Sequence, residues 1–256
     1  MPSAGARRAE TGSGAATSPP NSTRSHDVDE RLVLWDVDHT LIDSLGLGGA
    51  AYQRIFPQVT GQPVRQPALM DGRTDLGTID HMLRSHDIEP TRELVAAMTT
   101  ALAGVFDEVR VELADNGRVL PGAREALVAF DADPLVHQSV LTGNTAEVAR
   151  IKLGAFGLLD HVDLDIGAFG DDHLRRGGLV PIARERAADK LGIDFAPART
   201  VLIGDTLNDV RAAQESGAHL VAVATGSYSA DELRSAGAEV VFDTLPTPEE
   251  LRSALG

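Results

Sequence analysis

The clearest pattern along the chain is a series of short apolar runs, each followed at once by a polar residue. The first run, Arg31–Trp35, leads directly into Asp36. Four later runs stop before Thr142, Gly204, Thr225 and Asp243. A short apolar run with polar residues at its end predicts a buried strand.

Stretches with helical character lie between these runs. They cover residues 123–130, 145–156, 181–191, 208–216 and 248–255. Strands that alternate with helices predict an α/β fold, here a Rossmann-like parallel sheet between two helical layers. Ligands bind such sheets beyond the carboxyl ends of the strands. Asp36, Thr142 and Asp205 all fall at such ends, which makes this edge the expected functional site.

Residues 46–117 break the alternation of strands and helices. They contain helix-like stretches at 75–86 and 92–113 and no convincing strand. An insertion of this size predicts a helical cap on a core formed by residues 29–45 and 118–256. Asp115 to Gly117 form a plausible return turn. We expect the cap to be mobile and to close over the site.

The N-terminal segment, residues 1–28, has a different composition from the rest. No large aliphatic or aromatic side chain lies between Pro2 and His26. Such a segment cannot bury enough surface to offset its ordering entropy, so we predict a disordered tail. The Arg7-Arg8 pair lacks the apolar stretch that an export signal needs, and we expect a cytoplasmic protein.

Composition excludes several classes of protein. The chain has 23 Lys plus Arg, 38 Asp plus Glu, a net charge of −15 and no Cys. Disulfides, thiolate metal sites and a cysteine nucleophile are therefore excluded. The acidic balance argues against nucleic-acid and anionic-membrane partners. A phosphorylated substrate is still possible if a bound cation screens the carboxylates. No oligomeric state follows from the sequence.

Asp36 and Asp38 form the first candidate motif. In extended chain they point to the same side, and two close carboxylates repel unless one holds a cation or a proton. Phosphoryl transfer through a covalent carboxyl intermediate needs such groups: a nucleophile, an acid/base and a metal. The alternative interpretation is an ordinary turn or helix-capping pair.

Two further motifs follow later strands. Thr142, Gly143 and Asn144 offer a hydroxyl and backbone N–H groups that suit phosphate oxygens, although Thr and Asn are also common helix caps. Asp205 and Asp209 offer the hard oxygen ligands that Mg²⁺ takes, or else cap the next helix. Because all these motifs fall at one end of one predicted sheet, a shared site is the favoured interpretation.

These segments resemble the haloacid dehalogenase-like hydrolase superfamily. Residues 36–41 (DVDHTL) resemble its first motif, 142–144 (TGN) its second and 204–209 (GDTLND) its fourth. His39 stands where the first motif usually has Gly. Residues 72–75 (GRTD) resemble a cap segment of phosphoglycolate phosphatase-like members.

The resemblance implies a role for each residue. Asp36 would be the nucleophile that forms an aspartyl phosphate, and Asp38 the acid/base. Phosphoryl oxygens would be held by Thr142, Gly143, Asn144 and nearby amides. Mg²⁺ would be bound by Asp36, the Asp38 main-chain carbonyl and Asp205, with Asp209 ligating or supporting. The substrate would be a small phosphorylated metabolite, with Arg73 of the cap near its non-phosphate end. A surface salt bridge is the alternative for Arg73.

The usual lysine of the third motif is missing. The only lysines, Lys152 and Lys190, sit late in their predicted helices, so we expect both at the wrong end of the sheet. A cation is nevertheless needed as charge builds in the transition state. We predict Arg176 in this role, ahead of its neighbour Arg175 and of Arg184.

Other functions remain open at this stage. A 2-haloacid dehalogenase attacks carbon and needs no metal, and a phosphomutase uses the same first motif. A catalytically silent binding module on this fold is a third alternative. Asp38 and the acidic fourth motif favour a phosphatase.

Overall fold

A computed structural model of the protein describes Met1, residues 30–70 and residues 72–256. Apart from Met1, the predicted tail at 1–28 lies outside the described residues. The strands are β1 Arg31–Trp35, β2 Ile42–Asp43, β3 Arg118–Val119, β4 Val136–Val140, β5 Thr200–Gly204, β6 His219–Val223 and β7 Val240–Phe242. Five of them form a parallel sheet in the order β4-β1-β5-β6-β7.

Ten α-helices accompany the strands in the described part of the chain. They are α1 Leu47–Thr60, α2 Asp75–Ser85, α3 Arg92–Glu108, α4 Arg110–Asn116, α5 Ala123–Asp131, α6 Ala146–Ala155, α7 Leu179–Leu191, α8 Leu207–Ser216, α9 Ala230–Ser235 and α10 Pro248–Ser253. No helix among these is long and apolar enough to cross a membrane.

The central strand β1 shows why the sheet is covered on both faces. Val33 and Trp35 pack into one buried cluster with α5, α6 and α10. Leu32 and Leu34 point the other way, into a second cluster with α7, α8 and α9. Successive side chains of a strand alternate between faces, so a run with no polar interior position must be buried on both sides. The predicted three-layer α/β fold is confirmed.

Residues 46–117 hold the helices α1 to α4. Helices α1, α2 and α3 share a buried cluster of their own, which includes Tyr52 and Phe106 and is joined by Val148 of α6. The antiparallel pair β2–β3 links the two chain segments that lead into and out of the insert. The expected helix over 92–113 is interrupted, because Val109, with φ −97° and ψ 10°, turns the chain between α3 and α4.

Candidate active site

The sheet order brings the ends of three strands together. β1 lies between β4 and β5, so Asp36, Thr142 and Asp205 meet at one edge. The backbone fixes this register, because Asp36 N–H donates to the carbonyl of Ile203 at 2.8 Å and Leu141 N–H donates to the carbonyl of Trp35 at 2.8 Å. All three polar side chains are buried.

Three buried carboxylates form an acidic cluster. Asp36, Asp205 and Asp209 each place one oxygen within 4.8 Å of the others. Burial, opposed by Arg176 and reinforced by Asp209, raises the pKa of Asp36 to about 6. Burial and the charges of Asp36 and Asp209 raise the pKa of Asp205 well above its usual range. The side chain of Asp38 is not part of this cluster.

Arg176 supplies a positive charge to the cluster. Its Nη2 lies 2.9 Å from Asp36 Oδ1, and its Nε lies 2.7 Å from Asp209 Oδ1, although this N–H does not point at the oxygen. Arg176 stands in a 3₁₀ turn just before α7 and also donates to the carbonyl of Leu141 at 3.1 Å. The neighbouring Arg175 is exposed, and Arg184 binds the carbonyl of Phe195 at 2.6 Å instead.

One divalent cation would fit the charge of this cluster. Three carboxylates face a single guanidinium, which leaves two negative charges when all three are ionised. Among the residues that the structure describes, the hydroxyl of Thr40 is the side-chain donor to Asp205, at 3.1 Å. Buried carboxylates with so little compensation are costly unless protons or a cation neutralise them. Asp36, Asp205 and Asp209 therefore suit Mg²⁺ in donor type and in charge.

Lys152 contradicts our expectation from the sequence. Its buried Nζ lies 2.6 and 2.8 Å from the two carboxylate oxygens of Asp38 and donates to Asn144 Oδ1 at 2.8 Å. The prediction that Lys152 sits at the wrong end of its helix is therefore wrong. Helical side chains lean toward the helix N-terminus, and the long lysine spans most of the rise of about 9 Å back to the start of α6.

Asp38 is held by three donors. Besides Lys152, it accepts hydrogen bonds from Ser44 Oγ at 2.9 Å and from Asn144 Nδ2 at 2.8 Å. Burial raises the pKa of Asp38, but the charge and hydrogen bonds of Lys152 and the two other donors outweigh it. The pKa of this carboxyl is net lowered. Asp38 is therefore ionised in this conformation.

The second motif orients Asn144 and meets the insert. Thr142 Oγ1 accepts from the side-chain amide of Asn144 at 2.9 Å, which fixes the amide toward Asp38. The carbonyl of Gly143 accepts from Asp75 N–H at 2.7 Å. A Cβ at Gly143 would lie 2.1 Å from the carbonyl oxygen of Arg73, so only glycine permits this close approach.

Sequence reasoning missed two buried polar residues of the insert. Tyr52 donates to Asp75 Oδ1 at 2.7 Å, and Thr145 N–H donates to Asp75 Oδ2 at 2.7 Å. Burial raises the pKa of Asp75 to about 6 despite these hydrogen bonds. In the sequence, the one sign of this contact was the aspartate at the end of the 72–75 segment. That segment indicated a resemblance to a family and did not predict that Asp75 would bind Tyr52 and Thr145.

A cavity of about 200 Å³ lies over these groups. Its walls include Asp36, Asp38 and Asp205 from the core and Arg73 and Asp75 from the insert. Arg73 lines this cavity with an exposed side chain, and its predicted position near the non-phosphate end of a substrate stays a prediction. The parallel sheet and the acidic site at its strand ends define a protein of the Rossmann-like α/β class with a candidate active site at the usual edge of the sheet.

Comparisons with known proteins specify the family. Residues 30–217 match the family model described as haloacid dehalogenase-like hydrolase. A probable phosphatase, IndB, of Dickeya dadantii is 30% identical over 83% of this chain and 89% of its own length. Phosphoglycolate phosphatase of Chromobacterium violaceum is 28% identical over 84% and 93%. A solved hydrolase from Pseudomonas syringae, 23% identical, covers 88% of this chain and 98% of its own with a TM-score of 0.63.

The chain therefore belongs to the haloacid dehalogenase-like hydrolase family, in its phosphoglycolate phosphatase-like branch. It is a phosphoric monoester hydrolase. This agrees with the sequence-based prediction of fold and enzyme class.

Proposed function

We propose that the protein is a Mg²⁺-dependent phosphatase of a small phosphorylated metabolite and works through an aspartyl-phosphate intermediate. The observation that carries this proposal is the pairing of Asp36 with Arg176 beside Asp205 and Asp209, under a cavity of about 200 Å³. The name of the phosphoglycolate phosphatase relative supports a small phosphorylated substrate. Neither nucleic acid nor a membrane is needed as a partner.

Asp36 is the nucleophile. Its carboxylate attacks phosphorus, and the bond from phosphorus to the leaving oxygen breaks. Arg176 keeps the carboxylate in place and offsets the negative charge that accumulates on the phosphoryl oxygens. Thr142 and the backbone N–H groups of Gly143 and Asn144 hold those oxygens at the end of β4.

Asp38 is the acid/base of both half-reactions. It gives a proton to the leaving alkoxide and then takes a proton from the water that attacks the aspartyl phosphate. In the conformation described here it is ionised, which is the state that the second half-reaction needs. For the first half-reaction it takes up a proton from solvent, and the proton that it later removes from the attacking water restores the protonated form. Lys152 and Asn144 act as positioning residues, because they touch Asp38 and hold its orientation.

Mg²⁺ would be held by Asp36 and Asp205, with Asp209 and the main-chain carbonyl of Asp38 in support. When bound, it supplies charge neutralisation that lets an anionic phosphoryl group approach a carboxylate. Asp209 also accepts a hydrogen bond from Thr206 Oγ1 at 2.6 Å, so its second carboxylate oxygen takes part in capping the N-terminus of α8.

The insert closes the site as a mobile cap. Its docking contacts run from residues 74–76 to the core: Thr74 Oγ1 donates to the carbonyl of Leu174 at 2.8 Å, and Leu76 N–H donates to that of Gly170 at 3.0 Å. We propose that these contacts break when the cap opens. Closure then excludes water and sets Arg73 near the non-phosphate end of the substrate.

A screen of phosphorylated metabolites with and without Mg²⁺ tests the proposed function. The wild-type protein should release phosphate from at least one small phosphomonoester, and chelation should abolish the release. Asp36→Asn serves as the blank and should lower turnover by orders of magnitude while the far-ultraviolet spectrum is retained. Full activity after exhaustive chelation, or near-wild-type turnover in Asp36→Asn, would refute the proposal.

A further inference from the structure

Lys152 connects the proposed acid/base to the insert. It belongs to α6 of the core, and its side chain is only 2% exposed. Its Nζ donates to Asp38 Oδ2 at 2.6 Å and to Asn144 Oδ1 at 2.8 Å, and both of these partners belong to the core. A third neighbour comes from the insert, because Nζ lies over the ring of Phe106, 4.8 Å from its centre.

The contact between Lys152 and Phe106 is a cation–π interaction. A cation within about 6 Å of the centre of an aromatic ring is attracted by the negative face of that ring, and the attraction is stronger when water is excluded. Phe106 is buried, and so is Lys152. A buried ammonium is costly unless partners replace its water, and the Phe106 ring does this on the side of Nζ that faces the insert.

The position of the Phe106 ring depends on how the insert packs on α6. Phe106 lies on α3, in the buried cluster that also contains Phe56. Val148 of α6 belongs to the same cluster. Because residues four apart share one face of a helix, Val148 and Lys152 lie on the face of α6 that packs against α3. The docked insert therefore sets the ring over Nζ, and an insert that moved away would remove it.

We propose that Phe106 is a positioning residue: its ring holds the Lys152 ammonium against Asp38 and thereby orients the acid/base while the insert is docked. The proposal rests on the phosphatase function proposed above. It deepens that function, because the insert then contributes to proton transfer as well as to the exclusion of water. Proton transfer depends on the reach and alignment of the acid/base, and a small displacement is costly. Ser44 and Asn144 still hold Asp38 when the ring is removed, so the loss should be partial.

Two phosphomonoesters of similar size distinguish a misplaced acid/base from a damaged fold. Benzyl phosphate releases an alkoxide that needs a proton from Asp38, whereas p-nitrophenyl phosphate releases a stable phenolate that does not. In Phe106→Leu, kcat/KM for benzyl phosphate should fall by about tenfold, while kcat/KM for p-nitrophenyl phosphate should stay within about twofold of wild type. Partial unfolding lowers both values equally, so the ratio of the two reports position and not stability.

Two further phenylalanine variants make the test specific. Phe56→Leu is the matched control: it makes the same change in the same buried cluster, but the ring of Phe56 packs on His86, with 4.3 Å between the ring centres. Its ratio should equal that of wild type. Phe106→Tyr keeps the aromatic face and should recover the ratio to within about twofold. Phe106→Met replaces Phe106→Leu if the leucine variant does not fold. Equal ratios in wild type and Phe106→Leu, or equal changes in Phe106→Leu and Phe56→Leu, would overturn the inference.

A double-mutant cycle tests whether Phe106 acts through Lys152. In a Lys152→Met background there is no ammonium for the ring to hold, so Phe106→Leu should cause no further change in the ratio. A further fall of about tenfold in that background would show that Phe106 acts by another route and would contradict the proposal.

The same measurements distinguish failure of this inference from failure of the proposed function. If the wild type hydrolyses both probes and Phe106→Leu leaves their ratio unchanged, the positioning role is refuted and the phosphatase stands. If the wild type hydrolyses neither probe nor any phosphomonoester of the metabolite screen, the proposed function fails and the inference fails with it.

Discussion

At the scale of single residues, the active site is divided between two cation–carboxylate pairs. Arg176 forms an ion pair with Asp36, and Lys152 forms an ion pair with Asp38. The two aspartates are only two positions apart, and burial is the largest influence on the pKa of both. At Asp36 burial prevails and raises the pKa, whereas at Asp38 Lys152 and the two hydrogen-bond donors together outweigh burial and lower the pKa. Two carboxylates of one motif are thereby given different proton affinities. The lowered pKa of Asp38 suits its role as the base of the second half-reaction, whereas its role as the acid of the first half-reaction requires that it gain a proton beforehand.

Removing Lys152 should raise the pKa of Asp38. Since the second half-reaction needs ionised Asp38, the acidic limb of the kcat profile should move to higher pH in Lys152→Met, and kcat at pH 7 should fall by about tenfold or more. Lys152→Arg should recover part of the loss. Lys190→Met changes the only other lysine, which pairs with Asp163 and Asp165 on the surface, and is the control. Identical pH profiles in the two Met variants would exclude the positioning role.

Protons and Mg²⁺ should compete for the acidic cluster. Burial raises the pKa of Asp36 to about 6 and raises the pKa of Asp205 well above its usual range. Lowering the pH below about 6 therefore protonates ligands that must be ionised to hold a cation. The dissociation constant of Mg²⁺, measured by calorimetry without substrate, should increase by up to about tenfold per pH unit for each proton displaced. Asp205→Asn should abolish binding, and the exposed Asp194→Asn should not. A constant affinity from pH 5 to pH 7 would contradict this account.

At the scale of secondary-structure elements, the sequence predicted the strands of the five-stranded sheet and missed the two-residue strands. Each predicted strand of the sheet agrees with the structure to within about a residue. For β1, β5 and β6 the reason is that a doubly buried strand leaves a nearly unbroken apolar run, whereas β4 carries His137, Gln138 and Ser139. β2 and β3 have two residues each and leave no pattern. Helix α1 contains Gly48, Gly49 and Pro57, which are poor helix formers, and its packing against α3 overrides that propensity.

The residues of the candidate site also divide into those that the sequence predicted and those that it missed. Asp36, Thr142 and Asp205 were predictable because strand ends of a parallel sheet meet at one edge. The contact of Lys152 with Asp38 was not, because the position of a residue in a helix does not show how far its side chain extends. The hydrogen bond between Tyr52 and Asp75 depends on how α1 packs against α2 within the insert, and the one from Thr145 to Asp75 depends on how the insert meets the core. No local sequence pattern encodes either contact.

Asp75 of helix α2 should make the stability of the protein depend on pH. Its pKa is raised from 3.8 to about 6 in the folded state, so folding favours the protonated form. The associated stability is present below pH 3.8 and is lost as the pH rises through about 6. Relative to wild type, the unfolding free energy of Asp75→Asn should therefore increase by about 2 kcal/mol between pH 4.5 and pH 7.

Urea unfolding at the two pH values measures this difference. Asp80→Asn on the same helix is the control, because Asp80 forms an i,i+4 pair with Arg84 at the surface. If Asp75→Asn and Asp80→Asn show the same pH dependence, the buried Asp75 carboxyl is not the source of the effect.

At the scale of the whole molecule, activity depends on how the insert meets the core. A Cβ on Gly143 of the second motif would lie 2.1 Å from the carbonyl oxygen of Arg73, so the turn that we propose binds phosphate also contacts the insert. Gly143→Ala should therefore hold the insert away from the site and lower kcat/KM by about a hundredfold. The core should stay folded, while proteolysis at the segments flanking the insert should become faster.

Gly104→Ala provides the matched control. Gly104 lies in α3, and a Cβ there would meet no atom within 4 Å. This variant should keep both the wild-type kcat/KM and the wild-type proteolysis rate. Wild-type values of both in Gly143→Ala as well would show that the close approach has no role in closure.

The central claim is that Asp36 carries the phosphoryl group. In the Asp38→Asn variant, hydrolysis of the aspartyl phosphate should be slow because the base is missing. The first step should still be fast with p-nitrophenyl phosphate, because its leaving group needs no proton, so the phosphorylated intermediate should accumulate. Borohydride added during turnover should reduce the acyl phosphate, and peptide mass spectrometry should then find homoserine at position 36. A burst of p-nitrophenol with unmodified aspartate at position 36 would contradict the account.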